Sequence, residues 1–252
     1  MNYSSYNSRP HLTYEKPHRL LKGCNKGRAF RGISRVEIDF GRSMLLRPPT
    51  ATRPAIWIVE KDGEEAVIKD YGANRPAYRN TVGRFLVRRE VKALRKLEGI
   101  PGIPTHFGTV KGPAVIMERI KGKSVEGLEE SRRLPPQFFL KLRDLVAAFH
   151  SRGVAHCDLK RAPNILVGPE GEPYVVDWSA AVARSELKPF PLSLIYKRFL
   201  EDDLNAVVKL QLRHYPEGVS VRELRRYHHR GPLERLVRRL RDHARDLLQR
   251  MA

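Results

Sequence analysis

Apolar positions in the first half of the chain follow the two-residue repeat of strands, interrupted by one helical stretch. Alternating or apolar runs predict strands at RVEIDF (35–40), on both sides of the Asp-Gly turn in AIWIVEKDGEEAVIKDY (55–71), at THFGTV (105–110) and at PAVIMERI (113–120). Residues 82–98 have helical spacing instead, with a predicted buried stripe of Phe85, Leu86, Ala93, Leu94 and Leu97. The first half is therefore predicted to run β-β-β-α-β-β.

The second half has the longer repeat of amphipathic helices. Helices are predicted at 138–153, with Leu142, Leu145, Val146 and Phe149 inward, at 198–215, and from Pro232 onward. Between the first two helices, HCDLKRAPNILV (156–167) and EPYVVDW (172–178) flank a Gly-Pro-Glu-Gly turn. That arrangement predicts two short strands joined as a hairpin.

Length and composition indicate a globular protein with a sizeable core. The chain has 252 residues, of which 41% are hydrophobic and 30% charged. No apolar run approaches the roughly 18 residues of a membrane helix, and the polar N-terminus has no secretory pattern. Cys24 and Cys157 lack metal-ligand spacing and form no disulfide framework. We therefore expect a cytoplasmic protein, with peripheral attachment to the inner face of the membrane as a further option.

A net charge of +20 favours polyanionic partners such as RNA or an anionic membrane surface. Residues 221–252 alone contain ten Arg and four acidic residues, so the C-terminal helix is basic as well as amphipathic. The alternative is that its leucines pack on the protein and its arginines face water. Composition does not separate these interpretations.

Two charged residues are predicted to meet beside the first helix. Lys69 stands near the end of a strand, and Glu90 lies on the inward stripe between Leu86 and Leu94. A carboxylate on an apolar face is costly unless it is paired, and Lys69 is its natural partner. Asp158, Asn164 and Asp177 follow, around the predicted hairpin.

These motifs, in this order, resemble the protein-kinase-like superfamily. AVIK, the helix Glu, MER, HCDLK…N and VDW span residues of about 50 to 210 and are similar to a group of atypical bacterial RIO-like and lipopolysaccharide-kinase-like proteins. The resemblance implies an α+β, two-lobed fold. Its parts would be an N-terminal extension (1–30), an N-lobe (31–118) and a C-lobe with the basic helix (119–252).

The resemblance also implies a role for each motif residue, with ATP and Mg²⁺ as cofactors. Asp158 would be the catalytic base and Lys160 would contact the γ-phosphate. Lys69 would contact the α- and β-phosphates and be anchored by Glu90, while Asn164 and Asp177 would hold Mg²⁺. The adenine would lie against Met117 and the backbone of Glu118 and Ile120. Asp203 resembles the buried helix Asp that braces the catalytic loop.

Several positions depart from the kinase pattern. Asn164 comes six residues after Asp158 rather than five, and Cys157 replaces the catalytic-loop Arg that pairs with a phosphorylated activation loop. No G-x-G-x-x-G precedes Lys69, so the loop RPPTATRP would have to cover the phosphates, with Thr50, Thr52 and Arg53 as candidate donors.

The expected activity is transfer of the γ-phosphoryl group of ATP to an alcohol, most simply by a RIO-like Ser/Thr protein kinase. Only 26 residues separate Asp177 from Asp203, which leaves little room for a peptide-binding platform. A kinase acting on a lipopolysaccharide sugar or other glycolipid hydroxyl is therefore an alternative. An inactive module that binds RNA is a third.

Overall fold

A computed structural model describes residues 26–38, 43–128 and 134–228. Its N-terminal part is an antiparallel sheet with the strand order β1-β2-β3-β5-β4. The strands are β1 (Met44–Arg47), β2 (Ala55–Lys61), β3 (Glu64–Asp70), β4 (His106–Val110) and β5 (Ala114–Glu118). The predicted hairpin around Asp62-Gly63 is confirmed, because β2 pairs with β3 through the pair Lys61 and Glu64. Positive φ at both turn residues suits an Asp-Gly turn.

The strand predicted at 35–40 does not form over residues 35–38, the part of it that the structure describes, so this prediction is wrong there. Arg35–Glu37 form a 3-10 turn, closed by a capping box between Ser34 and Glu37. The Arg35 guanidinium donates a hydrogen bond to each carboxylate oxygen of Asp70, and this pair holds the turn against the sheet. The first strand is β1 instead, which the sequence pattern did not indicate.

The segment 26–38 covers one face of the sheet. Phe30 is 1% exposed and stacks on Phe107 at 6.0 Å between ring centroids. The backbone N–H groups of Gly27 and Ala29 donate to the carboxylate of Glu64. This small apolar core also takes in the sheet residues Ala66, Ile68 and Ile116 and, from the segment itself, Ile33 and Ile38.

The opposite sheet face packs on the helix between β3 and β4. A short turn α1 (Pro76–Tyr78) and a π-helical stretch (Arg79–Gly83) lead into α2 (Arg84–Lys96). Its buried face consists of Val87, Glu90, Val91, Ala93 and Leu94. Phe85 was predicted on that face but is 55% exposed, where its ring meets the Arg89 guanidinium.

The second lobe is mostly helical, so the predicted two-lobed α+β architecture is confirmed. Its helices are α3 (Pro136–Ser151), α4 (Leu192–His214) and α5 (Val221–His228). Its short strands are β6 (Lys123–Ser124), β7 (Val154–Ala155), β8 (Ile165–Val167), β9 (Pro173–Val175) and β10 (Val182–Ala183). The predicted hairpin is the antiparallel pair β8 and β9. The helix predicted from Pro232 lies outside the described residues.

The four residues predicted on the inward face of α3 are all buried in the larger core. That core runs without interruption from α2 and the sheet into α3 and α4. Among the described residues, α4 with its 23 positions is the longest helix, and no helix has the length and apolarity needed to cross a membrane.

Candidate active site between the lobes

Lys69 lies between two carboxylates. Its ammonium is 2.5 Å from Glu90 Oε1 and 2.9 Å from Asp177 Oδ1. Glu90 Oε1 also accepts the Trp178 backbone N–H at 3.2 Å. One strand, one helix and the segment after β9 therefore meet at a single cation, as the sequence predicted for Lys69 and Glu90.

Strand alternation explains how Lys69 reaches this place. Successive side chains of β3 point to opposite sheet faces, and Ala66 and Ile68 are buried under the segment 26–38. Val67 and Lys69 consequently face the other way and line the cleft between the lobes. Glu90 is brought to the same place by the inward face of α2, where it is 1% exposed.

Burial and pairing act in opposite directions on these charges. Burial alone lowers the pKa of the Lys69 ammonium, but Asp177 and Glu90 more than compensate and raise it. For the Asp177 carboxyl, burial raises the pKa. The attraction and hydrogen bond of Lys69 outweigh burial and hold this pKa well below the usual range. The site thus keeps an ammonium beside at least one ionised carboxylate.

Asp203 on α4 holds the loop that carries Asp158. Its carboxylate is 1% exposed and accepts the backbone N–H groups of His156 at 2.8 Å and Cys157 at 3.0 Å. His150 Nε2 is also 3.1 Å from it. The predicted bracing role of Asp203 is therefore seen directly in its contacts.

His156 joins this loop to the segment that carries Asp177. Its Nε2 lies 3.0 Å from the Val176 carbonyl oxygen, and its Nδ1 accepts the Asp158 N–H at 3.3 Å. Because a carbonyl only accepts, the ring hydrogen is assigned to Nε2. The ring also packs edge-on against Trp178, with centroids 4.7 Å apart. His156 thereby connects the loop of Asp158 to the segment that carries Asp177.

Asp158 has the surroundings of a proton acceptor. Burial raises the pKa of its carboxyl, Asp177 adds to that rise, and Arg161, His156 and Lys160 oppose it. Arg161 Nη1 is 3.5 Å from Asp158 Oδ2. A carboxylate with a raised pKa is a better base than a free one at neutral pH.

The extra residue between Asp158 and Asn164 is absorbed by a 3-10 turn over Ala162–Asn164. The turn brings Asn164 Nδ2 to 2.9 Å from the Asp158 carbonyl oxygen. Asn164 is 5% exposed and lines the same cleft as Lys69 and Asp177. Asn164 therefore reaches the cleft despite the insertion, while its role as a metal ligand stays a prediction.

The oxygens of Asn164 and Asp177 fit a magnesium ion. Asn164 uses its amide nitrogen toward Asp158, which leaves its side-chain oxygen as an acceptor. The partners of Asp177, Lys69 and Ser179, both use Oδ1, which leaves Oδ2. Mg²⁺ typically takes one or two protein oxygens together with substrate phosphates and water. The described residues contain no cluster of three or more His, Cys, Asp or Glu side chains that would hold a metal by themselves.

The cleft has a volume of about 1110 Å³, enough for a nucleotide. Its apolar walls come from the sheet (Leu46, Ile56, Ile58) and from the C-lobe (Leu166, Val167, Val176). The predicted hinge residues Met117, Glu118 and Ile120 line it too. The Glu118 N–H is committed to the Thr105 carbonyl at 2.9 Å, so Glu118 can offer a base only its carbonyl oxygen.

The loop between β1 and β2 is held by two side chains from the segment that leads into α2. Asn74 Nδ2 donates to the carbonyl oxygens of Thr50 at 2.7 Å, Arg53 at 3.1 Å and Ala51 at 3.3 Å. The Tyr78 hydroxyl donates to the Thr52 carbonyl. Neither anchor was predicted, since each lies more than twenty residues along the chain from the loop. None of the loop residues lines the cleft, so the candidate donors of this loop stay a prediction.

The segment after Asp177 is tied to α2 by charge. The Glu186 carboxylate accepts a hydrogen bond from the Lys92 ammonium at 2.6 Å and lies 3.7 Å from the Arg89 guanidinium. The guanidinium of Arg89 also donates to the Ala181 carbonyl. Many kinases instead order this segment by pairing an Arg of the catalytic loop with a phosphorylated residue. Here the position of that Arg is Cys157, whose thiol pKa is raised by burial.

Comparison with known proteins identifies the fold and the family. The model of the RIO domain matches residues 60–224, which is well over half of the chain. The chain belongs to the RIO domain family. Rio2 kinase from Chaetomium thermophilum has a similar structure, with a TM-score of 0.51 and 18% identity over 74% of this chain and 59% of that one. Its ADP/Mg²⁺–phosphoaspartate complex gives the same score at 19% identity, over 74% and 58%.

Among curated proteins, the RIO domain is 34% identical over 108 residues to the EKC/KEOPS complex subunit BUD32 of Encephalitozoon cuniculi. That match covers 40% of this chain and 53% of the relative. The chain thus spans about half the length of the curated relative that it matches. The RIO-like part of the predicted resemblance is confirmed, while the bacterial and lipopolysaccharide-kinase parts stay predictions.

Proposed function

We propose that this RIO domain is an ATP-dependent phosphotransferase that phosphorylates serine or threonine hydroxyls of a protein. The observation that carries the proposal is the Lys69 ammonium held between Glu90 and Asp177 in a nucleotide-sized cleft. Phosphoryl transfer needs little covalent chemistry from the protein, and depends on fixed charges around the phosphates and the acceptor. A paired cation, two free oxygens and a raised-pKa carboxylate supply that set.

Each residue has one task in the proposed reaction. Lys69 binds the α- and β-phosphates, and Glu90 keeps its amine in place. Asn164 and Asp177 would hold Mg²⁺, which when bound neutralises phosphate charge. Asp158 orients the acceptor hydroxyl and takes its proton as the oxygen bonds to the γ-phosphorus. The bond from that phosphorus to the bridging oxygen breaks, and its electron pair leaves with ADP.

The remaining predicted residues complete the site. The base would lie between the apolar walls, with Met117 behind it, the carbonyl of Glu118 and the N–H of Ile120 at its edge. Lys160 is exposed two residues after Asp158 and close enough to act on its pKa, so it is placed to meet the γ-phosphate. A lysine there favours an alcohol acceptor, as in Ser/Thr kinases.

A second candidate is ATP hydrolysis through an aspartyl phosphate. The similar solved structure from Chaetomium thermophilum is an ADP/Mg²⁺–phosphoaspartate complex. Asp177 lines this cleft and Asp158 lies beside Asn164, which also lines it. A carboxylate is a competent phosphoryl acceptor. The two candidates share all of the machinery above and differ only in the acceptor.

The test uses γ-labelled ATP with the full chain, Mg²⁺ and dephosphorylated casein as the acceptor. Asp158→Asn should lower transfer at least 100-fold, within the usual contribution of a positioned base. Asp144→Asn, an exposed residue on α3, is the matched control and should retain activity. Label that resists hydroxylamine supports a hydroxyl acceptor, and label that hydroxylamine removes supports the aspartyl phosphate.

Two outcomes would contradict the proposal. Transfer that is equal in Asp158→Asn and Asp144→Asn would remove Asp158 from the reaction. Label that enters only the lipid fraction of a cell lysate would replace the protein acceptor by a glycolipid hydroxyl.

A further inference from the structure

A second groove lies between α2 and the turn that joins β4 to β5. It has a volume of about 1010 Å³ and shares no lining residue with the cleft between the lobes. Almost half of its lining residues are basic and none is acidic; the basic ones are Arg84, Arg88, Lys92, Arg95, Lys96 and Lys111. No step of the proposed reaction uses any of them.

Most of these cations lack an acidic partner. Lys92 pairs with Glu186 at 2.6 Å, and Lys96 donates to the Gly153 carbonyl at 3.3 Å. In the described part of the chain, the other four have no carboxylate within 4.0 Å. They are Arg84, Arg88, Arg95 and Lys111, and all four are exposed. Like charges gathered without counter-charges repel one another, so a bound polyanion would stabilise this surface.

The spacing along α2 is regular. Arg84, Arg88 and Lys92 are four residues apart, which is one helical turn or about 6 Å, and Arg95 extends the row to about 16 Å. The regular row faces the Lys111 turn across the groove. A linear ladder of cations suits a chain molecule that carries charge at regular intervals.

Most apolar side chains of the groove floor are buried. Val87, Val91, Val110 and Ala114 are 9% exposed or less, and Pro113 is half-buried. A protein partner draws most of its affinity from apolar and aromatic anchors in such pockets. A partner here would meet the guanidinium and ammonium groups together with the aliphatic stems that carry them and Pro113.

We propose that this groove binds single-stranded RNA through its phosphodiester backbone. Guanidinium groups pair with phosphate through two parallel hydrogen bonds, and the neutralised phosphates release counterions. A membrane presents its head groups in a plane, which a concave row of cations does not match. A double helix is convex and rigid, whereas a flexible single strand follows the groove, and unpaired strands in cells are chiefly RNA.

The test is fluorescence anisotropy with a labelled 20-nucleotide polyuridylate and the full chain, between 50 and 300 mM KCl. The groove variant is Arg84→Gln/Arg88→Gln/Lys111→Gln. Each lost phosphate contact should reduce the slope of log K against log [KCl] by about 0.7, so the triple variant should lose about 2. The affinity at 0.1 M KCl should consequently fall on the order of 100-fold.

The control is Lys209→Gln/Arg213→Gln/Arg222→Gln, which removes the same number of Arg and Lys charges from exposed positions of the C-lobe. It should change the slope of log K against log [KCl] by less than about 0.7, the value expected for one phosphate contact. Arg84→Lys/Arg88→Lys, which keeps both charges, should retain the wild-type slope. Thermal melting of each variant confirms that the proteins compared are folded.

Three results would overturn the assignment. Equal losses in the groove and control triples would mean that overall charge, not the groove, binds RNA. Poly-glutamate of the same charge binding at least as tightly as polyuridylate would point to an acidic protein. Tighter binding of oligodeoxythymidylate than of polyuridylate would exclude RNA as the preferred strand. Loss of phosphotransfer in Asp158→Asn leaves all of these measurements unaffected.

Discussion

Replacement of Asp203 should destabilise the whole protein, not only its active site. The carboxylate is 1% exposed and accepts two backbone N–H groups, of His156 at 2.8 Å and Cys157 at 3.0 Å. Asp203→Ala would leave the buried His156 donor and the part-buried Cys157 donor without a partner, at about 1–3 kcal/mol each. We therefore expect a loss of about 4 kcal/mol in the free energy of unfolding.

Asp203→Asn is the more informative change because it preserves volume. The amide can still accept one backbone N–H through its oxygen, but its NH₂ group faces the other donor. We expect it to cost about 2 kcal/mol, roughly half of the alanine value. Either loss is a large share of the 5–15 kcal/mol typical of a folded domain.

Urea unfolding followed by tryptophan fluorescence measures these losses, since Trp178 packs beside His156. Asp202→Asn is the matched control, because this neighbour has a 41% exposed side chain and pairs with Arg198 near the surface. Exposed pairs contribute about 1 kcal/mol or less. Equal midpoints for Asp203→Asn and Asp202→Asn would refute the bracing role.

Three further predictions concern activity. Glu186→Gln should lower phosphotransfer several-fold, because α2 loses its charged tie to the segment after Asp177, whereas Glu170→Gln at an exposed turn should not. Arg161→Gln should move the acid limb of the pH–rate profile to higher pH, since Arg161 lowers the pKa of Asp158 and activity needs the ionised carboxylate. Asn74→Ala should raise KM for ATP and expose the β1–β2 loop to proteolysis, because three loop carbonyls lose their donor.

Opposite results would contradict each argument. Unchanged transfer in Glu186→Gln would mean that burial alone holds α2 in place. An acid limb that stays or moves to lower pH in Arg161→Gln would exclude Asp158 as the titrating base. Equal proteolysis of Asn74→Ala and wild type would show that the loop is held by other contacts.

Local patterns were sufficient where side-chain position follows from strand or helix periodicity. The helical repeat placed Glu90 on the inward face of α2, where a carboxylate needs a partner, and the structure pairs it with the predicted Lys69. The ordered motifs around the hairpin predicted Asp158, Asn164 and Asp177. The structure places Asn164 and Asp177 in one cleft with Lys69, and Asp158 beside Asn164.

Patterns failed where distant residues override local preference. RVEIDF alternates like a strand, but Arg35 pairs with Asp70 and Ser34 caps a turn with Glu37. Phe85 is apolar, yet it lies outside the face that Glu90 and its buried neighbours define. Asn74 and Glu186 were missed because, unlike Glu90, neither is a charge on a predicted apolar face or part of a kinase motif that would point to a distant partner. Sequence spacing alone carries no signal of such pairs.

The tie between Glu186 and α2 bears on how such a protein would be controlled. A carboxylate is always present, whereas a phosphate at that position has to be added and removed. With Cys157 in place of the loop arginine, a phosphate added to this segment would lack the cation that kinases supply at that position. On the proposed function, its output would then depend on what is delivered to the cleft: nucleotide, acceptor, or the macromolecule that brings the acceptor near.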